Sequence, residues 1–238
     1  MSSRLGDLAN AALVADHAHD RRSAHAAHYA EGFATRWISV VAAAEVIGFS
    51  IPAVAGTLVA AFAATPSIAL AALVAAGVAE GALLGTGQIL GFGRRARIRA
   101  GRWIGATAAG AAIAWAIGMS LSITGVFDEA PGPLTIVVLV LGGLALVATI
   151  PTLQWLFALR DRPGSARWIP ISMAAWTAGL MWTLAPSIFI DETTPPVVLL
   201  AAYLGAGTMM ALTSAILTAP CARSLAERAP TVSRPTRS

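Results

Sequence analysis

The sequence predicts an all-α, polytopic membrane protein of six transmembrane helices, arranged as three tandem two-helix repeats with both termini on the cytoplasmic side. Three observations predict it. The first is composition: of 238 residues, 57% are hydrophobic and only 12% charged, with a mean hydropathy of +0.72. A soluble domain carries roughly a quarter charged residues, so this surface must meet lipid. The second is six apolar segments from Trp37 onward, each long enough to cross about 30 Å of hydrocarbon with about 20 helical residues. The third is a recurrence: Arg36-Trp37-Ile38 returns as Arg102-Trp103-Ile104 and as Arg167-Trp168-Ile169, 66 and then 65 residues on.

Residues 1–35 are mixed and polar. Leu5, Leu8, Ala12 and Ala15 keep helical spacing, which reads as a partly helical cytoplasmic segment, on the membrane surface or beside it. No short apolar stretch with a cleavage site follows, so it is not a signal peptide. All four histidines, His17, His19, His25 and His28, lie here. His25 and His28 share a helix face, but no cysteine or well-placed carboxylate completes a tetrahedral set, so no metal site is expected.

The membrane domain is expected over 36–222, with repeats at about 36–100, 101–165 and 166–222. The spans fall near 37–62, 67–92, 103–124, 134–158, 168–190 and 197–218. Pro52 and Pro151 lie inside two of them. A membrane helix tolerates such a proline when neighbours satisfy the freed carbonyl. The outer turns are read at Thr65-Pro66, Pro131-Gly132-Pro133 and Thr194-Pro195-Pro196. Residues 223–238, rich in Pro, Arg and Ser towards the end, read as a disordered cytoplasmic tail.

Charge sets the orientation. All 16 basic residues are arginine. They precede the first span, follow the sixth, or lie between spans two and three (Arg94, Arg95, Arg97, Arg99, Arg102) and between spans four and five (Arg160, Arg162, Arg167). The other connections carry acids, Asp128-Glu129 and Asp191-Glu192. The positive-inside rule then puts both termini in the cytoplasm. The absence of lysine excludes Schiff-base chemistry with retinal or pyridoxal phosphate. The single cysteine, Cys221, excludes an intramolecular disulfide. Arginine in place of lysine, with abundant Ala, Gly and Pro, reads as the product of a GC-rich genome.

The repeats extend beyond Arg-Trp-Ile. Gln88 and Gln154 each lie 52 residues after their own unit's arginine. Gly77 and Gly143 lie 41 after it, and Gly207 lies 40 after Arg167. The third unit has Ala219 where the glutamine should stand and reads as degenerate there. Units of two spans keep one orientation, so any pseudo-symmetry axis runs along the membrane normal. Gln154-Trp155-Leu156 with Arg160 and Arg162, and more loosely Gln88-Ile89-Leu90 with Arg94 and Arg95, resemble a group of uncharacterised small multi-pass bacterial membrane proteins with a repeated Gln-x-Leu…Arg-Arg…Arg-Trp pattern. The resemblance covers about two thirds of the chain. It implies an architecture and no activity.

Candidate site residues are few. The Arg-Trp pairs read as interfacial anchors, arginine among headgroups and indole N–H towards water. The cluster Arg94, Arg95, Arg97, Arg99 and Arg102 is more basic than orientation requires and is a candidate contact for anionic lipid, each arginine contributing about 1 kcal/mol. Glu45 and Glu80 are the two acids inside spans. A charge at mid-membrane costs about 2.5–3.5 kcal/mol even on lenient scales, so each should face protein or water. Neither has an arginine at matching depth, and the neutral acid, which donates a hydrogen bond, avoids that cost. Their depths differ by about 5 Å at helical rise. That places the pair to share a proton or cation, or to form a plain interhelical hydrogen bond. Gln88 and Gln154 read as polar contacts between helices or to headgroups, worth about 0.6 kcal/mol each. Gly77, Gly81 and Gly85 form a small-residue stripe for close packing. Trp115, Trp176 and Trp182 read as packing or lipid contacts. No catalytic residue, cofactor or metal motif is found.

The expected location is the cytoplasmic (inner) membrane of a bacterium, with bilayer lipid and anionic headgroups as partners, no nucleic acid, and a homo-oligomer or a membrane-protein partner as further options. Three functions follow: a non-enzymatic component organising lipid or partner proteins; a small permease or channel with a proton- or cation-linked step at Glu45 and Glu80; and, least favoured, an intramembrane lipid-modifying enzyme.

Overall fold

The computed structural model describes the backbone of residues 2–62, 64–123, 132–189 and 194–228; side chains are described from residue 31 onward within those ranges, except at positions 60, 95, 187, 196, 199 and 200. Asp128, Glu129, Asp191 and Glu192, the N-terminal histidine side chains and the tail from residue 229 lie outside what is described.

The described residues are all-helical. Helix α1 runs unbroken over Ser2–Ala61, so the N-terminal segment continues directly into the first span. Helix α2 (Pro66–Phe92) starts with proline at its first position, where a missing N–H costs nothing. A 3-10 turn (Arg94–Ala96) leads to α3 (Ala100–Ile123). Helix α4 (Pro133–Gln154) also starts at a proline and passes into a π-helical turn (Trp155–Leu159) four residues after Pro151. Helix α5 (Trp168–Leu184), the one-turn α6 (Pro186–Phe189) and α7 (Pro196–Glu227) complete the chain.

Five helical stretches are long and apolar enough to cross a membrane: Glu31–Val59, Pro66–Phe92, Ala100–Ile123, Pro133–Leu159 and Ala201–Glu227. They make this a multi-pass membrane protein by length and composition. The expected fifth span, 168–190, differs. Its main helix stops after 17 residues, because Pro186 has no N–H to continue the ladder, and the chain bends at Ala185 before α6. At the other end, α7 runs to Glu227, well into the segment read as tail.

The helices close into a ring. Each packs on the next in the order α1, α2, α3, α4, α5, α7, and α7 returns to α1; the seam between α4 and α5 is the loosest. Glycines set the close approaches. A Cβ on Gly81 would stand 2.7 Å from the Thr107 carbonyl oxygen, and one on Gly110 would stand 2.6 Å from the Ile150 Cα. The Gly77–Gly81–Gly85 stripe therefore faces α3. Along α4 only Pro151 and Gln154 are buried, so its outer surface is left to lipid.

Candidate functional site

Two layers fill the centre of the ring. The first is built on the three repeated tryptophans. The expectation that they anchor at the interface with N–H towards water is overturned: Trp37 and Trp103 are 0% exposed and Trp168 1%. Their rings meet at the bundle axis. Trp168 lies edge-on to Trp37 at 6.3 Å and tilted to Trp103 at 5.6 Å, and Phe92 stands between Trp37 and Trp103, 4.7 and 5.1 Å from their centroids. The reason is geometric. Six helices around one axis leave a gap that only large side chains fill, and the indole adds a polar handle that needs a buried acceptor.

Each indole finds one on another helix. Trp103 Nε1 donates to Gln88 Oε1 at 2.9 Å, Trp168 Nε1 to Gln154 Oε1 at 2.8 Å, and Trp37 Nε1 to Thr218 Oγ1 at 3.1 Å. Gln154 Nε2 donates to Gln88 Oε1 and to Thr107 Oγ1, both at 2.8 Å. Thr218 and Thr107 satisfy their own hydroxyls on backbone carbonyls one helical turn back. Gln88 and Gln154 thus bond across helices and to one another rather than to headgroups. Thr218, which sequence reasoning passed over, stands one residue before the Ala219 that looked like a lost glutamine. Its donor, a third repeated tryptophan, was the available signal.

Arginines seal this end. Arg36 donates to the Gly91 and Phe92 carbonyls at 3.0 and 3.3 Å, capping the end of α2, where the helix dipole favours a cation. Arg162 donates to Leu225 O at 3.1 Å, Ala96 O at 2.6 Å and Arg97 O at 2.9 Å. It thereby ties the segment that follows the π-helical turn to α7 and to the end of the Arg94–Ala96 turn. Arg97 there holds φ +49, a left-handed conformation uncommon for a non-glycine residue. Burial pulls the Arg162 guanidinium below the ordinary arginine value. Arg167 bonds Ser224 Oγ. These three arginines hold the fold. By contrast Arg94, Arg97, Arg99 and Arg102 are exposed, and the side chain of Arg95 is outside the described set.

The second layer is a cavity of about 250 Å³, further from the arginine end along every helix. It brings Glu45 and Glu80 together on one wall system with Phe49, Trp115, Trp176 and Met210. Glu45 is 1% exposed, and neither of its carboxyl oxygens has a hydrogen-bond partner. Glu80 Oε2 accepts from Trp115 Nε1 at 2.6 Å. The interhelical hydrogen bond expected of the acids therefore forms between Glu80 and a tryptophan, and Glu45 is left without one. Trp115 and Trp176 are cavity walls as well as packing groups, which sequence reasoning missed. Trp182 lies outside the cavity, bonded to Thr213 at 3.0 Å. The described ion pairs, Arg160–Asp161 and Arg223–Glu227, touch neither acid. Among the described residues, no cluster of three His, Cys, Asp or Glu stands ready for a metal.

No known family model, curated protein or solved structure matches this chain.

Proposed function

We propose that this chain is a non-enzymatic, multi-pass membrane protein that acts as a small permease or channel, with a proton- or cation-linked step at Glu45 and Glu80. One observation carries the reading: Glu45 holds two buried, unpartnered carboxyl oxygens on the wall of a central cavity that Glu80 shares. An intramembrane acid is costly and marks an ion or substrate pathway by default. Buried polar groups are nearly always hydrogen-bonded, so an orphan pair needs a reason. A proton or cation supplies it.

Three further parts complete the proposal. The chain is built of three two-helix units about an axis along the membrane normal. The cyclic order of the indole bonds supports this, since each repeated tryptophan donates to the return helix of the preceding unit and Trp37 closes the ring on Thr218. Both termini lie on the cytoplasmic side of a bacterial inner membrane, supported by the arginine distribution. The tryptophan layer then seals the cytoplasmic side and the acidic cavity lies beyond it.

The test is flux. Purified protein in proteoliposomes, with a pH-sensitive dye inside and gradients of protons, sodium or potassium across the membrane, should pass one of these cations. Glu45→Gln and Glu80→Gln should each abolish it. Flux indifferent to both changes sinks the reading.

A second reading has its own observation. A surface groove of about 260 Å³ beside α2 is lined by Ile89, Leu90, Phe92, Gly93, Arg94, Arg97 and Ile98. Apolar floor and guanidinium rim suit an anionic lipid, and this supports a lipid-organising role. Co-purified lipid enriched in anionic species, and lost on Arg94→Gln, would favour it.

A further inference from the structure

We infer that the ligand of the central cavity is a hydrophobic organic cation, a substituted ammonium, whose charge meets Glu45 and whose alkyl groups fill the apolar walls. The inference rests on the reading of Glu45 and Glu80 as a cation site and names the chemical class that site takes.

The walls decide between cations. A hard metal ion takes six or more oxygen ligands. The acid pair offers four carboxyl oxygens, one already accepting from Trp115, and no further acid, cysteine or histidine joins them among the described residues. A proton can ride on the acid pair but needs no volume, and about 250 Å³ stands open beside it for a second species. The remaining walls are apolar or aromatic: Phe49, Trp115 and Trp176 beside Leu84, Ile150 and Met210. Aromatic faces attract a cation stripped of water, and the apolar walls favour alkyl groups by about 25 cal/mol per Å² buried. An ammonium with short alkyl arms presents both at once. It needs no water or oxygen cage and neutralises the one buried carboxyl without a hydrogen-bond partner among the described residues.

Access suits the same class. The α4–α5 seam is the loosest in the ring, and both helices contribute wall residues, Ile150 from α4 and Trp176 from α5. A ligand soluble in the bilayer enters from the side there. The tryptophan and glutamine layer, with all three indole N–H groups bonded, closes the cavity floor.

The experiment uses the purified full chain in nanodiscs and a tetraalkylammonium series, tetramethyl to tetrapropyl, read by calorimetry and by quenching of tryptophan fluorescence. Saturable binding is expected, tightening with alkyl length, about fourfold per fully buried methylene, so that tetrapropylammonium binds at least tenfold more tightly than tetramethylammonium. Glu45→Gln should weaken it at least tenfold, and Trp176→Leu several-fold. Gel filtration and circular dichroism establish that each variant is folded; Glu45→Asp, which keeps the charge, should retain most of the affinity. No binding by the wild-type chain, or equal binding by Glu45→Gln, overturns the inference. If cation flux still depends on Glu45 and Glu80 while no alkylammonium binds, the cation site stands and only its ligand class falls. If flux is also absent, both fall.

Discussion

Two neighbouring layers of the bundle hold buried polar groups in opposite states. In the tryptophan layer all three indole N–H groups are paired, and Gln154 alone joins Trp168, Gln88 and Thr107. Eight residues further along α1 from Trp37, Glu45 has two oxygens and no partner. Both layers lie inside the same ring of helices and are equally buried, so burial does not separate them. What separates them is completeness. A satisfied polar network fixes helix positions and register. An unsatisfied carboxyl holds no helix in register, and its role lies in what it can bind. A fold that violates its own rules at one place tends to do so where it functions.

The contrast can be tested by breaking each layer. The largest effect is expected just beside both, at Gly81→Leu. Its side chain would drive into the Thr107 carbonyl, and overpacking should lower the unfolding free energy by about 3 kcal/mol. Gln154→Leu comes next. It strands the Trp168 N–H and takes donors from Gln88 and Thr107, for a loss of about 2 kcal/mol at the net values seen for polar contacts in membranes. Unfolding in a denaturing detergent titration measures both. Trp103→Phe removes the N–H and shrinks the indole to a phenyl; the lost hydrogen bond alone should cost about 1 kcal/mol, with the space left behind adding to it. Trp37→Phe should cost about as much, because Thr218 keeps its bond to Ser214 O at 2.7 Å just as Gln88 keeps the one from Gln154.

Glu45→Gln should leave stability unchanged or slightly raised, since no bond is lost and a buried acid is removed. A loss as large as that of Gln154→Leu would dissolve the distinction between the layers. Last, Arg94→Gln and Arg99→Gln should not move stability at all, as exposed residues. Each should weaken the preference for anionic lipid around the protein by about 1 kcal/mol, measured from the composition of co-purified lipid.

Much of this architecture is legible residue by residue. Pro66 and Pro133 start helices as the turns read before them imply, and the Gly77–Gly81–Gly85 stripe faces a helix as small residues in membranes do. The acids were legible too, because a charge in an apolar run is conspicuous. Three things were not. The repeated tryptophans carry the same local pattern whether they lie at an interface or on the axis, and Arg-Trp is common at interfaces. Thr218 is one of several hydroxyl residues in α7, and nothing local distinguishes it from Thr208 or Thr213. The expected fifth span is apolar through residue 190, yet one missing N–H at Pro186 ends its main helix.

The sequence by itself determined that this chain lives in lipid, where its helices begin, and which two acids cannot rest at the lipid surface. Hydropathy, proline and charge act locally or along one helix, so they can be read one residue at a time. The tertiary structure decided which face of each helix meets the axis. It turned three presumed anchors into a bonded core, set Thr218 in the place of a missing glutamine, and put Trp115 on Glu80 while leaving Glu45 alone. Those outcomes depend on the angular position of residues on six packed helices, and no single helix carries that information.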